Sequence, residues 1–220
     1  MAMNVFGTPV TNATLEAMPE YEGKEITRMD RAHVALNKMH TEDKDKNARE
    51  YVHNLKEEWG TGVSTLCLLY NATGDTITFV LEHNWHGHVG PAPYPIQIAN
   101  GQWGAFLHVK TSGAATGSSA AIVYRGKNNN DVGCDWMAAW SNPWNPASSS
   151  NTAYTEIRDE GHYEKEDNWN YISDLLYDSG ITKTDIWNGC KSSVITGNGT
   201  SPEYEATFTL DGAETKLLDA

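Results

Sequence analysis

The sequence predicts a mainly β fold with peripheral helices, an α+β chain built around an antiparallel β-sandwich, on three observations. Between Leu66 and Tyr124 apolar residues recur with the period of strands. Turn-forming Gly, Asn, Asp and Pro punctuate those runs at short intervals. In the first 60 residues the apolar spacing is instead that of helices.

Taken in order, Thr11 or Asn12 can cap a short helix that ends before Pro19. Thr27 can cap a longer one running to Met39, with Met29, Ala32, Leu36 and Met39 on one face. Residues 45–59 put Ala48, Tyr51, Val52, Leu55 and Trp59 at steps of three and four, and Gly60 stands where a helix C-cap belongs. Strands are then expected at 63–71 and 76–83, joined as a hairpin through Asn71-Ala-Thr-Gly-Asp75. Further strands are expected at 94–99, 103–111, 118–125, 134–141, 152–158 and 204–210. A helix at 169–178, capped by Asp167 or Asn168 and stopped by Gly180, interrupts this series. Residues 196–201 read as loop. The expected organisation is a helical segment, residues 1–60, packed on a sandwich, residues 61–220, as one compact unit.

Length and composition permit a genuine core: 220 residues, 39% hydrophobic. A formal charge of −13 and a pI near 4.9 argue against nucleic acid, whose binding requires clustered Lys and Arg. The charge is uneven. Residues 61–150 hold the acids Asp75, Glu82, Asp131 and Asp135 against the bases Lys110, Arg125 and Lys127, so the middle is nearly neutral and suits neutral or zwitterionic ligands. No run of 18 apolar residues and no leader-like N-terminus is present, which predicts a cytosolic or nuclear protein. Cys67, Cys134 and Cys190 are too few for a disulfide framework and read as free thiols, with Cys67 in the core.

The candidate recognition surface is aromatic. Tyr94, Trp103, Tyr124, Trp136, Trp140, Trp144 and Tyr154 come from successive strands or their ends, and a sandwich can gather such rings at one rim. Their faces would stack on sugar C–H surfaces or cage a quaternary ammonium, while core packing is the competing role for each. Trp144 and Tyr94, beside Pro143, Pro146, Pro93 and Pro95, are the best exposed candidates. His83, His86 and His88 lie close enough to share a zinc or copper ion if a turn at Gly87 folds them together, yet strand alternation turns His83 across the pleat. Otherwise these rings serve as satisfied polar residues of a bent hairpin, stacking on Trp85. No Gly-x-Ser-x-Gly elbow, phosphate loop, His-Glu-x-x-His or Cys-x-x-Cys occurs, so neither a catalytic centre nor a cofactor is expected. The acids Asp159, Glu160, Glu164, Glu166 and Asp167 around His162 read as a solvated loop rather than a glycosidase pair.

Several runs carry a family resemblance: residues 63–76, Gly90-Pro-Ala-Pro-Tyr-Pro95, Asn100-Gly-Gln-Trp-Gly-Ala-Phe-Leu-His108, Val123-Tyr-Arg-Gly126 and Trp140-Ser-Asn-Pro-Trp-Asn145. With the opening Met3-Asn-Val-Phe-Gly-Thr-Pro9 and Glu160-Gly-His-Tyr163, the chain closely resembles the plant 23 kDa jasmonate-induced proteins. That resemblance implies a protein induced by jasmonate and by salt or drought stress, without enzymatic activity. The sheet region is more distantly similar to sphingolipid-binding proteins of the Nakanori type, which implies an actinoporin-like β-sandwich and recognition of sphingomyelin with cholesterol. It supplies no headgroup motif residue by residue, and the acidic N-terminal helices lack the basic amphipathic character of a membrane-inserting segment.

The expected function is therefore a soluble, stress-induced, non-catalytic sandwich. It would bind a neutral glycan or a zwitterionic lipid headgroup through Tyr94, Trp103, Tyr124, Trp140 and Trp144 at one end, with peripheral membrane contact. The alternative is a self-associating homo-oligomer for storage or stress protection, whose rings are core or subunit interface. Metal binding through His83, His86 and His88 is a minor third reading.

Overall fold

Twelve strands form two sheets in the computed structural model, which describes residues 4–145 and 149–216. The larger sheet contains β1 (Val5–Phe6), β2 (Ser64–Ala72), β4 (His88–Val89), β6 (Trp103–Val109), β10 (Thr182–Trp187), β11 (Cys190–Thr196) and β12 (Glu203–Leu210). Its order is β1-β6-β2-β12-β11-β10, with β4 also on β6, and every pair is antiparallel except β2 with β12. The second sheet, in the order β5-β3-β7-β8-β9, contains β3 (Ile77–His86), β5 (Gln97–Ile98), β7 (Ser118–Lys127), β8 (Gly133–Asn142) and β9 (Thr152–Asp159).

Helices cover both outer faces. α1 (Asn12–Glu16), α2 (Arg28–Asn37) and α3 (Lys44–Trp59) lie on the larger sheet, and α4 (Asn168–Tyr177) lies on the smaller one. Their starts follow the sequence: Thr27 accepts from the Asp30 backbone N–H at 3.2 Å while Asp30 accepts from the Thr27 N–H at 2.8 Å, a reciprocal cap. The α3 stripe also packs as its spacing requires, with Ala48, Val52 and Leu55 buried against Leu66, Leu68 and Leu107.

Three apolar layers result. Between the sheets lie Cys67, Leu69, Phe106, Tyr204 and Phe208 from one side and Ile122, Tyr124, Trp136 and Trp140 from the other. Strand alternation turns Leu66, Leu68, Tyr70 and Trp103 outward beneath the N-terminal helices, and Val123, Met137 and Tyr154 outward beneath α4. All nine residues of β2 are buried, since a strand covered on both faces reads as a continuous apolar run. Trp136 and Trp140 share the inner face because β8 keeps its register with β7 and β9 throughout.

Besides the two-residue strands β1 and β4, for which the sequence reading assigned none, two elements depart from it. β2 and β3 do not form the expected hairpin: β2 pairs with β6 and β12, β3 with β5 and β7, and residues 71–75 cross from one sheet to the other. Asn71 builds the crossing by donating to Asp75 O and Ile98 O while accepting from Thr73. The second departure is the β10–β11 hairpin, for which the sequence reading assigned no strands. Its turn, Asn188-Gly189, has positive φ at both positions, 46° and 75°, the hairpin turn that Asn-Gly favours. The turn signal was present, but β10 is a largely exposed edge strand whose Thr, Lys and Asp residues hide the alternation.

Candidate functional site

At one end of the sandwich the chain leaves a cleft of about 760 Å³, within the range of small-ligand sites. Pairing of β7 with β8 sets Ser118 opposite Asn142 and Ser119 opposite Ser141, so the loop before β7 and the segment after β8 form facing walls. The start of β9 at Thr152, the end of β3 at His86, Tyr177 at the end of α4 and Ser179 just after it complete it. Gly117 lets the walls approach: a Cβ there would lie 2.0 Å from Asn142 O and 2.9 Å from Pro143 Cα, so any side chain would force them apart.

Two asparagines tie this end to the opposite sheet. Asn142 donates through Nδ2 to Ser64 O at 2.7 Å and Thr200 O at 3.2 Å; Asn151 donates to Gly197 O at 2.9 Å and Gly199 O at 3.0 Å. With both amide protons of Asn142 committed, its Oδ1 is fixed as an acceptor. That oxygen, Ser119 Oγ and Thr152 Oγ1 are buried and have no hydrogen-bond partner among the described residues. Such groups are rare and mark a place where water or a ligand supplies the missing bond. All three belong to residues lining the cleft.

At the mouth stand two exposed aromatic residues, Trp144 and Tyr177, each 47% accessible. Exposed Ile181 follows Ser179, and exposed Ile195 lies opposite Thr182 on the neighbouring strand. The Lys110 ammonium sits 4.7 Å from the Trp144 ring centroid and donates to Ala114 O at 2.7 Å. This holds the loop before β7 and the tryptophan together. Among the described lining residues there is no Asp, Glu, Lys or Arg.

Behind the cleft lies a buried polar chain. Ser118 Oγ is 2.8 Å from Thr65 Oγ1 and 2.8 Å from His108 Nδ1, and His108 Nε2 is 2.9 Å from Asn84 Oδ1. Asn84 Oδ1 only accepts, so Nε2 carries the imidazole proton and donates to it. Nδ1 of the neutral ring then accepts from Ser118 Oγ, which itself accepts from Trp140 Nε1 at 3.3 Å. Burial, with a smaller contribution from His88, lowers the His108 pKa to about 3. The serine–histidine–asparagine order resembles a nucleophile chain, but Ser118 and His108 are fully buried, so the arrangement holds the strands together.

The structure corrects the expected aromatic rim. Trp103, Tyr124 and Trp140 are fully buried and Tyr94 nearly so, with only Trp144 of the five exposed. Trp103 lies under α3 and donates to Met39 O at 3.0 Å. Tyr124 donates to Pro95 O at 2.7 Å, and Tyr94 stacks on Phe79 with ring centroids 5.1 Å apart. The reason is that both faces of each central strand are interior: Trp103 lies under the helices, whereas Tyr94, Tyr124 and Trp140 lie between the two sheets. Pro146 lies outside the described residues. The three histidines are also separated. His83 stacks on Trp169 at 4.5 Å under α4, His86 lines the cleft, and His88 is on β4 beside Val109. Among the described residues no three His, Cys, Asp or Glu converge as metal ligands would. Cys67, Cys134 and Cys190 are buried free thiols. In the acidic loop Glu160 and Glu164 pair with Arg125, at the far end of β7 from the cleft.

Sequence reasoning passed over Ser119, Ser141, Asn142, Thr152 and Tyr177. One signal was available: Ser118-Ser119 and Ser141-Asn142 adjoin the apolar runs Ala120–Tyr124 and Trp136–Trp140 at the ends that a β7–β8 hairpin brings together.

Comparison with known proteins agrees with this architecture. Residues 6–211 match the family model described as Nakanori-like protein. The chain is 45% identical over 210 residues to the 23 kDa jasmonate-induced protein of Hordeum vulgare, covering 94% of this chain and 98% of that one. It is 38% identical over 82 residues to a jasmonate-induced protein homolog of Atriplex canescens, covering 37% of this chain and 43% of that one. The crystal structure of the lipid binding protein Nakanori superposes with a TM-score of 0.84 at 34% identity, over 93% of this chain and 98% of that one. In sequence and in sandwich architecture alike, this chain belongs to the Nakanori-like family.

Proposed function

We propose that the chain is a non-catalytic, peripheral lipid-binding protein that takes a polar lipid headgroup into the end cleft while Trp144, Tyr177 and Ile181 rest against the bilayer surface. The observation that carries this reading is the conjunction at one end of buried polar groups lacking partners and exposed rings at the mouth. Tryptophan and tyrosine suit a water–lipid interface, since each has an apolar body and a polar tip. Relationship to a protein described as lipid binding supports the ligand class, and the jasmonate-induced relatives support a role in a stress response. No described helix is long and apolar enough to cross a membrane, so contact through the loop end fits better than insertion of a helix.

Trp144→Ala is expected to weaken binding to the preferred vesicles about tenfold or more in flotation assays, since burying such a ring contributes roughly 1.5–3 kcal/mol. The substitution should leave thermal stability nearly unchanged because the ring is exposed. Equal flotation of variant and parent across vesicles differing only in headgroup would contradict the reading.

A further inference from the structure

Resting on the lipid reading, we infer that the group entering the cleft is a hydroxyl-donating sugar or cyclitol rather than a choline headgroup. Three observations converge on this. Asn142 Oδ1 is fixed as an acceptor, because both amide protons already serve Ser64 O and Thr200 O. Its missing partner must therefore donate. Ser119 Oγ and Thr152 Oγ1, also without partners, can donate or accept. Together they complement vicinal hydroxyls, each of which both gives and takes a proton. A phosphocholine has no donor at all, so Asn142 Oδ1 would gain no hydrogen bond from it.

Charge points the same way. A quaternary ammonium is held by open aromatic faces or by carboxylates. No described Asp or Glu lines the cleft, and of the two rings at its mouth Trp144 already carries the Lys110 ammonium at 4.7 Å, which leaves Tyr177 alone and no aromatic cage. A second cation on that tryptophan would meet like charge. A neutral sugar or cyclitol would not, and the phosphate that cyclitol and choline lipids share is attracted to Lys110 in both, so the difference rests on the cation.

Ser119→Ala and Thr152→Val isolate the claim, because neither hydroxyl has a partner among the described residues to lose. Both variants should keep or slightly raise the melting temperature, as removal of a buried unsatisfied hydroxyl does. Vesicles of phosphatidylcholine alone, with sphingomyelin, with glucosylceramide or with phosphatidylinositol supply the lipid arms. Methyl glucoside and free inositol, followed by NMR titration, supply the soluble arm. The expected result is binding to the glucosylceramide or phosphatidylinositol vesicles but not to the choline-only ones, weakened roughly three- to tenfold by each variant. Choline-headed vesicles bound as well as the hydroxylated ones, or binding untouched by both variants, would overturn the inference while leaving the lipid reading in place. Free sugar bound with no vesicle bound would support the donor argument and remove the membrane. No binding in any arm would overturn both.

Discussion

Replacing His108 by glutamine is expected to flatten the acid-side loss of stability that the parent protein shows between pH 6.5 and about 3. The folded chain holds this imidazole neutral down to about 3, chiefly through burial, whereas an unfolded histidine takes its proton near 6.5. In that window the unfolded state binds more protons, so stability is fully present above pH 6.5 and falls as the pH drops toward 3. The loss approaches about 1.4 kcal/mol per pH unit inside the window. Protonation also forces the chain to reorient, because Nδ1 would then donate to Ser118 Oγ, which must turn its own proton toward Thr65 Oγ1. His83 and His162, both lowered by burial, titrate in the same direction, so the readout is the difference between parent and variant. Urea unfolding at half-unit pH steps should show the parent slope exceeding that of His108→Gln; equal slopes would mean that the buried imidazole does not resist protonation. His108→Ala at neutral pH should cost about 3 kcal/mol, from lost packing against Trp140 and the orphaned Asn84 and Ser118.

Asp135→Ala should be comparably damaging at the other end of the sandwich. This carboxylate is 1% exposed and accepts from Arg125 Nε at 2.7 Å, Arg125 Nη2 at 2.9 Å and the Gly161 N–H at 2.9 Å. The bidentate pair joins β7 to β8 at Arg125 opposite Asp135 and anchors the loop that leads to α4. Hydrogen bonding to Asp135 raises the Arg125 pKa further above its ordinary value, and because an arginine without that partner is still charged at any working pH, the guanidinium cannot discharge when Asp135 is removed. Breaking a buried pair from one side costs about 3–5 kcal/mol, and the partial exposure of Arg125 places the expected loss near the lower figure. At roughly 2–4 °C per kcal/mol for a chain of this size, the melting temperature should fall by about 6–12 °C. A fall of less than about 2 °C would show that water replaces the carboxylate without penalty. Headgroup binding measured below the transition should be unchanged, because the cleft lies at the opposite ends of β7 and β8.

Much of the fold was legible because patterning and caps agreed. Thr27 with Asp30 marked the start of α2, the apolar stripe from Ala48 to Trp59 marked the buried face of α3, and the strand runs gave eight of the strands. Pairing was less legible. Residues 64–72 are apolar on both faces, and such a run does not say which sheet it enters, so the short turn at Asn71-Asp75 suggested a hairpin where the chain changes sheets.

The exposure of the aromatic residues was misread for a related reason. Aromatic residues on strands were expected at a rim, but Trp103 and Tyr154 face covering helices and Tyr124, Trp136 and Trp140 face the opposite sheet. Composition cannot distinguish those positions from exposed ones. Polar residues at strand ends, Ser119, Asn142 and Thr152, carry the better signal, because a buried hydroxyl or amide in an apolar strand requires a partner. In the family resemblance, the kinship and architecture were legible from residues 63–76, 100–108 and 140–145, while the cleft needed coordinates.

Hydrogen–deuterium exchange with and without vesicles that the protein binds tests most directly whether the cleft end is the lipid-binding surface. Slowed exchange should concentrate in residues 114–119, 140–145 and 177–181, with α2 and α3 unchanged. Slowing over α2 and α3, with those three segments unaffected, would place the membrane on the helical face and contradict the cleft as the headgroup site.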